Sequence, residues 1–246
     1  MNQALNQSRQ ITLFCFPYAG GNIYSYREMT KNAPKEIKII PFEYPGRLTR
    51  QNESLLFDIY DIMADCITQL RSHLRTPYAL YGHSMGSIVA WLVTQQAIKQ
   101  GLPPPEHLFV SGRAGPSSLN KEDKKHDLPR QDFFDSIREI GGCPKEIFED
   151  EALLDLIESH LRADFKAIEE FEYRTAPPLN IPISAFVGKD EDITMEEAYK
   201  WKDETQSEFH LYHFEGNHFF ISSKGREMMK IIYSELLRKL CWTSKK

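Results

Sequence analysis

Ser84 stands between two glycines in Tyr81-Gly82-His83-Ser84-Met85-Gly86-Ser87, the spacing Gly-x-Ser-x-Gly. A serine hydroxyl is a weak nucleophile at neutral pH, so a working serine needs a base within hydrogen-bond reach and a carboxylate to orient that base. The bare motif recurs by accident in roughly one chain in ten of this length at ordinary Gly and Ser usage, so alone it decides little. Its context decides more. The motif joins the apolar run Tyr78–Tyr81 to a helical stripe of Ile88, Trp91, Leu92, Gln95 and Ile98. A sharp strand-to-helix turn there would expose the hydroxyl and aim the backbone N–H of Met85 at an incoming carbonyl.

Of the eight histidines, His218 is best placed to be the base, because it follows the last apolar run in the glycine-containing loop Glu215-Gly216-Asn217-His218. His83 is forced away from the serine by the turn, and His210 and His213 fall inside a strand pattern. His73, His107, His126 and His160 read as surface or structural residues. For the carboxylate, Gly188-Lys189-Asp190-Glu191-Asp192 follows the run Ile183–Val187. Asp190, nearest the strand end, is the first choice and Asp192 the second; a helix N-cap is the competing use of these acids. The order Ser84, Asp190, His218 is that of the α/β-hydrolases. A second oxyanion donor is expected from Tyr18 or Ala19 in Phe16-Pro17-Tyr18-Ala19-Gly20-Gly21, with a plain tight turn at Gly20-Gly21 as the lesser reading beside the elbow.

The elements that must position these groups follow from periodicity. Strands are expected at Ile11–Phe16, Ile37–Phe42, Tyr78–Tyr81, His107–Ser111, Ile183–Val187 and Glu208–Phe214. Amphipathic helices are expected at Leu55–Leu74, Ser87–Lys99 and Gly225–Leu240. Strands alternating with helices predict an α/β fold: a mostly parallel central sheet flanked by helices. One domain over residues 1–246 is expected, with a charged, helix-rich insertion at Ser117–Pro178 as a lid or an accessory subdomain. Its exposed run Asn120–His126 carries Lys121, Lys124 and Lys125, a solvated loop or a docking patch.

Hydrophobic residues at 41% and charged residues at 26% fit an ordinary globular protein. A net charge of −5 with scattered Lys and Arg excludes a basic nucleic-acid face. The four cysteines are far apart, without a Cys-x-x-Cys pair, and read as reduced, mostly buried thiols; no metal or cofactor is expected. The polar start MNQALNQSRQ and the lack of any run near the roughly 18 apolar residues of a membrane span predict a cytoplasmic protein with no membrane contact. Nothing points beyond a monomer.

With these residues in place, the chain resembles the type II thioesterases that accompany nonribosomal peptide and polyketide synthetases. The resemblance runs over nearly the whole length, through FCFPYAGG, FEYPGR at Phe42–Arg47, YGHSMGS, LRADF at Leu161–Phe165, Ala176-Pro177-Pro178-Leu179, FVGKDEDI and FEGNHFF. It implies an α/β-hydrolase fold with a helical lid. It also implies hydrolysis of thioesters carried on the 4'-phosphopantetheine arm of acyl or peptidyl carrier proteins, with a triad at Ser84, Asp190 and His218. Ser87 and Asn217 depart from frequent family residues, at positions that carry no chemistry. Arg162 and Asp164 are read as a lid ion pair or capping contact. Two rival readings are a general carboxylesterase or lipase on small esters, and a non-catalytic subunit that docks carrier proteins.

Overall fold

A computed structural model describes residues 10–74, 77–118, 124–142 and 145–243. Six strands form one sheet: β1 Ile11–Phe16, β2 Ile37–Pro41, β3 Tyr78–His83, β4 Leu108–Ser111, β5 Ile183–Gly188 and β6 Phe209–Phe214, ordered β2-β1-β3-β4-β5-β6. Every neighbouring pair is parallel. Parallel strands need crossovers, so both faces are covered and the central strands are mostly apolar rather than alternating. β1, β3, β4 and β5 are accordingly buried at every residue.

One face packs against α2 Ile59–Arg71 and α3 Met85–Lys99, in a cluster that includes Phe14, Leu80, Ile88, Trp91 and Val110. The other packs against α1 Arg27–Asn32 and α7 Ile221–Thr243, around Leu13, Tyr81, Phe109, Met228 and Ile232. All three expected helix starts differ from the periodicity, α3 by beginning at Met85 rather than Ser87. α2 begins at Ile59 rather than Leu55 because the Asp58 carboxylate accepts from Tyr60 N–H at 2.7 Å and caps the first turn. α7 begins at Ile221, ahead of Gly225, which sits against Glu28 of α1 where a Cβ would meet backbone at 3.0 Å.

Between β4 and β5 the chain leaves the sheet and builds α4 Arg130–Ile140 and α5 Glu151–Glu169. These helices hold a small core of their own, with Phe133, Phe134, Ile137, Leu154 and Leu161 buried. From Glu170 the chain returns as an irregular strap that joins the sheet region where Leu179 N–H donates to Glu204 O at 2.8 Å. A short helix, α6 Met195–Tyr199, follows β5. Of the expected exposed run Asn120–His126, residues 120–123, with Lys121, lie outside the described residues. Lys124 is exposed as expected, whereas His126 corrects the end of the run: it is buried, its ring nitrogen Nδ1 bonded to Glu169 at 2.5 Å.

Candidate active site

The turn at Ser84 joins β3 to α3, and its geometry is costly for any side chain. Ser84 has φ 54° and ψ −121°, well outside the ordinary regions for a residue with a Cβ. Close packing maintains it. A Cβ on Gly82 would lie 2.0 Å from the carbonyl oxygen of Gly86, and one on Gly86 would lie 2.0 Å from that of Phe16. Both glycines are therefore required by contact, and the loop after β1 is pressed onto the elbow. Ser87 braces the turn, its hydroxyl donating to the carbonyls of Gly82 and Ser111.

Ser84, Met85, Ala19 and His218 line one cavity of about 530 Å³. As the first residue of α3, Met85 has a backbone N–H with no partner in its own helix. Ala19 faces the same space. Tyr18 does not line it: its carbonyl accepts from Gly21 N–H at 2.8 Å, and its ring meets His83 and Phe219 edge-on.

His218 enters from the loop after β6, where Gly216 adopts φ 123°. The carboxylate that meets it is Glu191, not Asp190. Glu191 Oε1 accepts from His218 Nδ1 at 2.7 Å, and Oε2 accepts from Gly188 N–H at 2.6 Å. The reason is the turn after β5. Glu191 N–H closes back on Gly188 O, which sends the third side chain past the glycine over the strand end. Asp190 spends its backbone N–H on Gly216 O and is exposed, as is Asp192; both stand at the cavity wall. The Glu191 side chain is only 2% exposed. With Nδ1 donating to a carboxylate, the neutral His218 ring carries its free lone pair on Nε2.

Beneath His218 lies a residue whose role the sequence did not suggest. The ring of His83 is fully buried 4.9 Å from that of His218, and its Nδ1 bonds Ser111 Oγ at 2.7 Å. Ser111 Oγ also meets the Tyr81 hydroxyl at 2.6 Å. Burial, and secondarily the neighbouring His218, pushes the His83 pKa well below 6.5, so it is neutral.

A second unforeseen arrangement ties the lid to the loop after β1. The Arg47 guanidinium reaches Asp164 through two bonds, Nη1 to Oδ2 at 2.8 Å and Nη2 to Oδ1 at 2.6 Å. Asp164 Oδ2 also accepts from Gly20 N–H at 2.7 Å, while Arg47 Nη1 donates to Gly21 O at 3.0 Å. The Tyr44 hydroxyl adds a bond to Pro17 O. Burial alone would lower the Arg47 pKa, but the charge and hydrogen bonds of Asp164 outweigh it and the net direction is upward. Asp164 is thus no partner of Arg162. Arg162 pairs with Glu158 and donates to the carbonyls of His126 and Leu128. The signal lay in the resemblance, which flagged FEYPGR and LRADF separately without joining them.

Of the cysteines, Cys15 and Cys66 are free and buried, with thiol pKa values pushed up by burial; Cys143 and the Cys241 side chain lie outside the described residues. No helix among the described residues is long and apolar enough to cross a membrane.

Comparison with known proteins places this geometry in a family. Linear gramicidin dehydrogenase LgrE of Brevibacillus parabrevis is 33% identical over 240 residues, 96% of this chain and 91% of that protein. Gramicidin S biosynthesis protein GrsT of Aneurinibacillus migulanus is 30% identical, covering 96% and 93%. The solved structure of the type II thioesterase BorB from the borrelidin biosynthetic cluster superposes with a TM-score of 0.85 at 31% identity, covering 92% of this chain and 93% of that one. The profile of the thioesterase domain matches residues 11–236, and the chain belongs to the thioesterase family.

Proposed function

We propose that this protein is a cytoplasmic type II thioesterase. It hydrolyses acyl and aminoacyl groups from the 4'-phosphopantetheine arms of carrier proteins, and so clears misprimed or stalled modules of a peptide or polyketide synthetase. The observation that carries the reading is the His218–Glu191 contact at 2.7 Å beside the strained Ser84 in one cavity. The catalytic groups are Ser84, His218 and Glu191, the last in place of the expected Asp190. The sheet and its lid act as one thioesterase unit that brings no cofactor of its own, since the phosphopantetheine arrives with the substrate.

His218 Nε2 takes the Ser84 proton as the hydroxyl oxygen attacks the thioester carbonyl. The tetrahedral oxyanion is held by the N–H groups of Met85 and, of the two expected donors, Ala19, which faces the cavity where Tyr18 does not. Carbon–sulfur cleavage expels the thiol, which receives the proton from His218. Water then attacks the acyl-serine ester with His218 again as base, releasing the acid and restoring Ser84. The chain contains no Gly-x-Gly run of the kind dinucleotide-binding enzymes use for phosphate.

The test is the intact mass of an acyl-loaded carrier protein. The wild-type protein should remove the acyl group and Ser84→Ala should leave it in place; equal deacylation by both would overturn the reading. Carrier docking near Lys124 and Lys125 is part of the proposal. Lys124 is exposed, 3.7 Å from Glu170, and charge reversal at both lysines should slow carrier deacylation while sparing a small thioester.

A further inference from the structure

The active-site cavity is lined by polar residues, among them Asp190, Asp192 and Arg113, and by apolar ones, of which Ile88, Ile168, Phe171 and Tyr173 also pack in the main core. An acyl chain bound to Ser84 leaves water along such apolar lining, which includes Tyr173. A second cavity, of about 880 Å³, is lined by Trp91, whose ring stacks on that of Tyr173. It lies between α3 and the strap, lined by Trp91, Leu92, Met63, Leu102, Pro177 and Ile181. Among the described residues none lines both cavities. Between them the rings of Trp91 and Tyr173 stack, 5.9 Å between centroids and 23° between planes.

This partition is anchored. The Tyr173 hydroxyl donates to Glu204 Oε1 at 2.9 Å, and Glu204 is 2% exposed. Trp91 is 1% exposed within the main core and adjoins the same carboxylate. Swinging Tyr173 aside would strip a buried carboxylate of its donor, which opposes free rotation of the ring. We propose that the Trp91–Tyr173 pair is a fixed wall that limits the site to short acyl and aminoacyl groups, and that removing it opens the second cavity to long fatty acyl chains.

The inference rests on the thioesterase reading of the site, and a chain-length series separates the two. kcat/KM would be measured on N-acetylcysteamine thioesters from acetyl to dodecanoyl. The wild-type protein should favour the short members. Tyr173→Ala should shift the ratio of dodecanoyl to acetyl turnover toward the long chain. It should raise the dodecanoyl rate about 10- to 100-fold, since each newly buried methylene is worth roughly fourfold. Tyr173→Phe keeps the ring but loses its anchor on Glu204, so its length profile should lie between those of wild type and Tyr173→Ala. If Tyr173→Ala fails to fold, Tyr173→Leu shortens the wall more gently and should shift the profile the same way. A general loss of activity across all lengths, or an unchanged profile in the folded variants, would overturn the wall and leave the thioesterase reading standing. No hydrolysis at any length by the wild-type protein would overturn both.

Discussion

Glu191 meets His218 through one hydrogen bond at the sheet edge, with the imidazole side chain 24% exposed, whereas Asp164 meets Arg47 through two bonds under the lid, at 0% and 7% exposure. An imidazole can gain and lose a proton near neutral pH; a guanidinium cannot. The first contact can therefore change charge during a reaction, and the second is permanent. Their backbone partners differ accordingly. Glu191 is steadied by Gly188 N–H and orients a base, while Asp164 and Arg47 grip Gly20 N–H and Gly21 O and so hold the loop that carries Ala19. Similar charges serve chemistry on one side of Ser84 and loop geometry on the other.

The largest effect should come from Glu191→Gln. The amide cannot hold the imidazolium that forms as Ser84 attacks and favours the wrong tautomer, so kcat should fall on the order of 10⁴-fold in a folded protein. Single-turnover hydrolysis of an acetyl thioester, beside a thermal melt, measures it. A loss below about tenfold would mean that the contact is not what activates His218.

Asp164→Asn probes the other side. It leaves a buried guanidinium without its counter-charge, and the cost should be about 3–5 kcal/mol of stability in urea unfolding. The double variant Arg47→Met, Asp164→Leu removes both charges and should recover much of that stability, because a buried pair is often replaceable by apolar side chains. Activity should not recover with it, since Gly20 N–H and Gly21 O stay unheld. Full recovery of both would reduce the clamp to packing alone.

How far these two contacts can be read from sequence differs for a physical reason. The elbow was legible because contact distances dictate Gly82 and Gly86 locally, and β3 and α3 announce themselves by period. His218 was legible because a loop beyond the last strand of a parallel sheet must overhang its edge. The acid was placed one residue off. Nearness to the strand end favoured Asp190, but the Gly188–Glu191 turn decides direction, and a glutamate standing between two aspartates invites being passed over. Arg47 and Asp164 lie 117 residues apart, and no spacing rule joins a loop after β2 to a lid helix.

Acid should separate the two sides more weakly, through His83. Its folded pKa lies well below the unfolded 6.5, so the folded state binds fewer protons. The sign follows: stability is full above about pH 6.5 and is lost as pH falls, by at most ~1.4 kcal/mol per pH unit. Urea unfolding at pH 7.5 and 5.5 should show wild type losing about 1 kcal/mol more than His83→Gln. Equal losses would mean that His83 is already protonated beneath His218.

The smallest effect is expected at Asp190, next to Glu191 in the same turn. Its structural part is a backbone bond, the N–H on Gly216 O at 3.1 Å, which Asp190→Asn leaves intact. An exposed substitution of this kind costs about 0.5 kcal/mol of stability or less, and kcat should stay close to wild type because Glu191, not Asp190, meets His218. Glu191→Asp keeps the charge but shortens the reach by one methylene, and should fall between Asp190→Asn and Glu191→Gln. That ordering is what a single oriented carboxylate requires. If Asp190→Asn instead lost as much as Glu191→Gln, the loop would have to turn during the reaction and present its acids alternately. His218 would then be held by a moving partner, and the contrast with the fixed Arg47–Asp164 clamp would lie in motion rather than in charge.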